Sequence, residues 1–184
     1  MSAAKLLVLG AVIEHGSAHG YQVRKDVESW RADLWGGIGQ GSIYHALRRL
    51  TAEGLLAHAG EETPAAAPAR TMYRATSEGR RAFVELLERM LASDSCTPGE
   101  TMAAIGFLTT LTRQRALEIL GRRVAAYRSK RDRIAKEYER SPDAEWGHHI
   151  EAVRFWIRSA DAEVDFTTDL IDRLRSGEYV MAGD

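Results

Sequence analysis

The feature that most constrains this chain is a repeat near its C-terminus. Trp146, Ile150, Val153, Ile157, Ala160, Val164, Thr167, Ile171 and Leu174 follow one another at alternating steps of four and three residues. Such spacing keeps one side of a helix facing a helical neighbour, so it predicts a coiled-coil seam. A helix packed only within its own subunit would broaden the stripe to a third position per heptad. Phe155, Trp156, Phe166 and Leu170 supply some of that off-seam surface. The helix is therefore expected to contact both its own subunit and a partner. Residues Trp146, Ile150, Val153, Ile157, Val164, Ile171 and Leu174 are assigned to a homodimer seam.

The segments before it are also helical. Pro98 stands at a helix start, with Met102, Ile105, Leu108 and Thr109 on a shared face. From about Arg113 to Arg140, Leu117, Leu120, Val124, Tyr127, Arg131, Ile134 and Tyr138 recur at three- and four-residue steps. Residues 93–184 thus form an α-helical dimerisation domain.

Residues 1–92 read differently. Ala3 to Glu14 is apolar enough for a buried helix, and the His15–Gly20 stretch is a turn in which Ser17 or His19 caps the next helix, Tyr21 to about Ala32. A glycine-rich loop, Gly36 to Gly41, precedes Ser42, an N-cap candidate for a helix ending before Gly54. Ile43, Ala46, Leu47 and Leu50 make its apolar face; Tyr44, His45, Arg48 and Arg49 lie opposite. The period then drops to two: 55–59 and 71–75 read as strands around a loop, and a helix opens at Thr76. This order predicts a mainly α chain, an N-terminal winged helix-turn-helix with a two-stranded wing followed by the helical domain.

A recognition helix of this kind offers side chains to a DNA major groove. Ser42 and Tyr44 can donate to phosphates, His45 can reach a base edge, and Arg48 can hold guanine or phosphate with two hydrogen bonds. The plain alternative is a solvated helix face. Charge alone does not decide it. The whole chain carries −1, and residues 1–81, with 10 Lys/Arg against 8 Asp/Glu, carry +2.

Three stretches together resemble PadR-type transcriptional regulators: His19-Gly20-Tyr21, the run from Gly41-Ser42-Ile43-Tyr44-His45 to Glu53-Gly54-Leu55-Leu56, and Arg70-Thr71-Met72-Tyr73-Arg74-Ala75-Thr76-Ser77-Glu78-Gly79-Arg80. The resemblance covers about residues 3–81. His45 stands where proline is common in the family, and the wing carries Glu61 and Glu62 with only Arg70 near its base. The resemblance implies a homodimeric regulator, a repressor, bound to double-stranded DNA through Tyr21, Ser42, Tyr44, His45, Arg48, Arg49 and Arg70. It also implies a C-terminal dimerisation region; Gly106 to Leu111 is similar to the opening of its longer version. Some such regulators hold flat hydrophobic compounds at the dimer interface, which makes Trp146 and Trp156 candidates for a small aromatic effector. The rival reading is that these rings fill the core between helices.

Other chemistries find little support. His148 and His149 are adjacent and diverge on a helix by about 100°, so they do not share a metal. Cys96 is alone, which excludes an internal disulfide and fits a cytoplasmic protein. No nucleophile elbow, phosphate-binding loop, membrane-length apolar run or secretory signal is present. No enzyme, cofactor or metal is expected. The competing class is a helical protein-interaction adaptor whose winged helix does not bind DNA.

Overall fold

The computed structural model describes residues 2–62, 70–140 and 147–184. The chain divides into two compact units: Met1–Met90 with Cys96–Phe107, and Leu91–Ser95 with Leu108–Asp184. The first contains α1 (Ser2–Glu14), β1 (Ala18–His19), α2 (Gly20–Ser29), α3 (Ala32–Gly36), α4 (Gln40–Ala52), β2 (Leu56–Glu62), β3 (Arg70–Ala75), most of α5 (Ser77–Ala92) and α6 (Pro98–Gly106). The second is built on α7 (Arg113–Arg140) and α8 (Ile150–Arg175). The mainly helical winged-helix architecture is the one expected.

In the first unit α1 is apolar on nearly every side, and Leu6, Leu7, Val8, Leu9, Ala11 and Val12 are all buried. It packs against α2, α4 and α6, and so forms the centre of the unit. The sheet has the order β1-β3-β2 and is antiparallel throughout. The third strand, β1, was not anticipated: it is two residues long, too short to show a period, and pairs Ala18 with Tyr73 and His19 with Met72. The glycine-rich loop is also shorter than expected. Helix α3 runs to Gly36, and α4 begins at Gln40 with Gly39 as N-cap. Ser42 is therefore not the cap: it lies inside the first turn, and its N–H donates to the Gly39 carbonyl at 3.0 Å.

The far end of α4 closes as Gly54 predicts. With Gly54 at φ +72, Leu55 N–H reaches back to the Leu50 carbonyl at 2.9 Å and Gly54 N–H to that of Thr51 at 3.0 Å. These are the two bonds of a Schellman motif, which satisfies carbonyls that the helix leaves open. Thr76 then ties the wing to α5. Its hydroxyl donates to the Gly54 carbonyl at 2.9 Å and accepts from Gly79 N–H at 3.0 Å, capping the helix. Helix α6 starts with a capping box between Thr97 and Glu100, behind Pro98.

The second unit is a helical hairpin of α7 and α8. Arg123 is buried at its centre, donating to Glu163 at 2.7 Å and to the Ser93 carbonyl at 2.7 Å. The C-terminal segment folds back on the same hairpin: Ala182 N–H donates to the Thr109 carbonyl at 3.0 Å, and Arg113 bonds the Leu174 and Tyr179 carbonyls and pairs with Asp184.

Within this hairpin the four-three repeat is used differently from the expectation. Ile150, Ala160, Thr167, Ile171 and Leu174 are buried, and Val153, Ile157 and Val164 half-buried, within the single chain. Their neighbour is α7. A heptad pattern requires a helical neighbour but does not specify which chain supplies it. Trp146 lies outside the described residues. The opposite side of α8 exposes Phe155 and Phe166, at 73% and 50%, while Trp156, at 51%, lies on the flank beside Lys130 of α7.

Candidate nucleic-acid interface

Helix α4 is anchored by Ile43, Ala46, Leu47 and Leu50, all buried, and presents Ser42, Tyr44, His45, Arg48 and Arg49 as exposed side chains. At about 100° per residue, Arg48 and His45 point most directly away from the buried face. The two flanks differ. Ser42, His45 and Arg49 border a hollow of ≈ 770 Å³ between α1, α4 and α5. Tyr44 lies on the other flank, where its ring covers the bare backbone of Gly20: a Cβ there would stand 2.8 Å from Tyr44 Cε1.

That contact brings the His19-Gly20-Tyr21 turn beside the recognition helix, although the two are over twenty residues apart in sequence. His19 is the N-cap of α2, its Nδ1 accepting from Gln22 N–H at 3.0 Å. Tyr21 is half exposed. The Arg24 guanidinium lies 4.9 Å from the Tyr21 ring centre and that of Arg70 lies 6.0 Å from it. Arg70 Nη1 is also 3.2 Å from His19 Nε2. Of the residues assigned from sequence, Tyr21, Tyr44 and Arg70 thus gather on one flank, around two that were not assigned, His19 and Arg24. The signal for Arg24 was its place three residues after Tyr21 on one helix; no sequence signal links His19 to Arg70.

The two arginines of α4 are not equivalent. Arg49 Nε holds Glu53 at 2.7 Å, and Lys5 Nζ reaches the same carboxylate at 2.8 Å. Hydrogen bonds from Lys5 first and Arg49 second pull the Glu53 carboxyl below its usual range. Arg49 is therefore drawn along the helix toward its C-terminus. Among the described residues no carboxylate lies within ion-pair distance of Arg48, which leaves that guanidinium available to an outside acceptor.

A winged helix whose third long helix displays such a face already narrows the field, and a family comparison decides it: the model for the transcriptional regulator PadR-like family matches residues 8–85. Residues 8–85 belong to the PadR-like family of transcriptional regulators. The family consists of regulators rather than enzymes. Comparison with curated proteins returns no match. Among solved structures, Bacillus subtilis PadR in complex with operator DNA is 20% identical, with a TM-score of 0.42 over 92% of this chain and 98% of that one. The same Bacillus subtilis protein in complex with p-coumaric acid gives 20% and 0.40 over 94% and 99%. The PadR-like transcriptional regulator BC1756 from Bacillus cereus gives 18% and 0.38 over 95% and 99%. The PadR-like assignment rests on the family match and the motifs, not on these whole-chain scores. Among the described residues, no helix is long and apolar enough to cross a membrane and no cluster of three His, Cys, Asp or Glu could hold a metal.

Proposed function

We propose that this chain is a repressor that binds a pseudo-palindromic operator as a homodimer, with residues 1–92 reading DNA and 93–184 pairing the subunits. The observation that carries this reading is the outward face of α4, where Tyr44, His45 and Arg48 stand exposed over a buried apolar base. A helix so displayed fits the major groove, and Ser42, Tyr44 and the Tyr21–Arg70 flank are placed to hold the phosphates beside it.

The direct test is a gel shift with the DNA upstream of the chain's own gene, compared with unrelated duplex. Arg48→Ala is expected to weaken operator binding by about 1–3 kcal/mol, the worth of a two-bond base contact, with no change in unfolding temperature. Arg49→Ala, whose side chain is engaged by Glu53, is expected to weaken it less. Equal affinity of parent and Arg48→Ala would remove α4 from the interface. Failure of the parent to bind any duplex would leave the adaptor reading in its place.

Pairing of subunits is assigned to the exposed side of α8 rather than to its buried seam. Phe155, Ser159, Ala162 and Phe166 form a second four-three-four stripe there. Laid antiparallel about a two-fold axis, two such stripes stack Phe155 on Phe166 of the partner at both ends and meet at small residues between them. On the flank, Arg158 faces Asp165 of the second copy, and both are exposed with no ion-pair partner among the described residues. A two-fold contact needs this kind of self-complementarity.

The effector is assigned to the same unit. Trp156 is half exposed, with Lys130 Nζ 5.7 Å from its ring centre. A planar aromatic acid suits that pair, its ring on the indole and its carboxylate on the ammonium. p-Coumaric acid is a convenient probe: saturable quenching of tryptophan fluorescence, lost in Trp156→Leu and accompanied by release of DNA, is the expected result. Unaltered fluorescence and DNA binding across a panel of planar acids would leave Trp156 without an effector role.

A further inference from the structure

A smaller hollow, of ≈ 80 Å³, opens where α1, α3 and α6 meet, and α4 lends it no side chain. Trp30, Trp35 and Phe107 line it above the buried Leu7 and Ala103. The rings are held in place. Phe107 fills the space over the bare backbone of Gly10, where a Cβ would stand 2.2 Å from its Cζ. It also meets Trp30 and Phe83 edge-on, at 5.6 and 5.3 Å between ring centres. Trp35 Nε1–H donates to the Trp30 carbonyl at 2.9 Å, which uses the indole's one donor and leaves its ring for other contacts.

One carboxylate joins this aromatic lining. Glu14 is the last residue of α1 and borders the hollow. Among the described residues it has no cationic partner: the neighbouring His15 is engaged by Asp26 at 2.8 Å and Gln22 at 3.1 Å. The stretches 63–69 and 141–146 contain neither lysine nor arginine. Although Glu14 keeps an exposed side, burial pushes its carboxyl above the usual range, with His15 lowering it and Asp26 raising it further. A partly desolvated negative charge among indole rings, without a counter-charge, is complementary to a cation.

The kind of cation follows from the same residues. A primary ammonium brings three N–H groups, each in need of an acceptor. Glu14 is one carboxylate, and the Trp30 carbonyl is taken by Trp35. A fully methylated ammonium has no N–H, and its methyl groups suit aromatic faces and the Met102 thioether. The volume fits such a headgroup and is far below the roughly 300–1,000 Å³ of a pocket that encloses a drug-sized ligand. Met102 and Gly106, one turn apart on α6, are exposed, and a Cβ at Gly106 would meet nothing within 4 Å. The remainder of the molecule can leave on that side.

We propose that Glu14, Trp30 and Trp35 bind the quaternary ammonium end of a small soluble molecule. The site is separate from Trp156 and does not depend on the reading of α4.

Tetramethylammonium chloride is the probe, and the indole N–H resonances of Trp30 and Trp35 are the readout, with that of Trp156 as reference. Expected are saturable shifts at Trp30 and Trp35 that sodium chloride does not produce. Neither should tert-butanol, which is of similar size but uncharged, and ammonium chloride should bind more weakly than the methylated ion. Glu14→Gln keeps the shape of the side chain and breaks no ion pair, so it should weaken binding several-fold with an unaltered unfolding midpoint. Absent or unsaturable shifts, equal binding of tert-butanol, or equal affinity of parent and Glu14→Gln would each overturn the proposal. Phosphatidylcholine vesicles separate the other source of this headgroup. Sedimentation of the chain with them, lost in Glu14→Gln, would assign the site to a lipid surface and overturn the soluble ligand. No DNA enters these measurements, so their failure leaves the operator reading untouched.

Discussion

Replacing Phe155 and Phe166 together by Asp is expected to give a folded monomer that has lost its hold on the operator. Both rings are exposed in the single chain, so their removal leaves the α7–α8 hairpin intact. Buried against a partner, each would contribute about 1.5–3 kcal/mol, and each is used twice across a two-fold axis. Their replacement by carboxylates puts unpaired charge at the contact. Loss of the second half-site should cost operator affinity about a hundredfold or more, because the linked half no longer binds as an intramolecular event. Ile157→Asp is the informative contrast. Ile157 faces α7, so this change should unfold the hairpin rather than dissociate a folded chain. Sedimentation with circular dichroism reads both. A Phe155→Asp/Phe166→Asp chain that stays dimeric places the contact elsewhere.

The second large effect is expected at Gly79. A Cβ at this position would stand 2.0 Å from the carbonyl oxygen of Leu55, and the obstruction is backbone. Neither side can rotate away: Leu55 is held by the Schellman bonds at the end of α4, and Gly79 by the Thr76 cap. Gly79→Ala should therefore cost about 3 kcal/mol, the upper end for a group forced into a packed region. It should also loosen the wing. Gly121→Ala is the control, since a Cβ there meets nothing within 4 Å and alanine favours a helix. Urea unfolding is expected to show a lower midpoint for the first and an equal or higher one for the second. An unchanged midpoint for Gly79→Ala would show that the α5 approach to Leu55 is not a fixed feature of the fold.

These two sites mark how far the sequence could be read. The apolar face of α4, its stop at Gly54 and the Thr76–Gly79 exit were readable because each depends on residues within one or two helical turns. The same locality explains the misplaced cap. Ser42 is a strong cap by type, but the helix starts three residues earlier, with Gly39 in the extended N-cap conformation and no side-chain cap. Strand β1 escaped notice because two residues carry no alternation. The partner of the α8 seam escaped because periodicity specifies a neighbour without naming it. Arg49 was grouped with Arg48, and half of the reason to separate them was local, the four-residue step to Glu53; the other half, Lys5, is 48 residues away. His19 and Arg70 are 51 residues apart and meet only through the pairing of β1 with β3.

Footprinting of the upstream DNA with hydroxyl radicals tests the central claim most directly, because it reads the α4 contact and the two-fold pairing in one experiment. The parent is expected to protect two patches of backbone related by a dyad, their centres about 34–36 Å apart, one turn of the duplex. Arg48→Ala should weaken both equally. A single protected patch, or protection that Arg48→Ala leaves untouched, would contradict the account of a dimer reading an operator through α4.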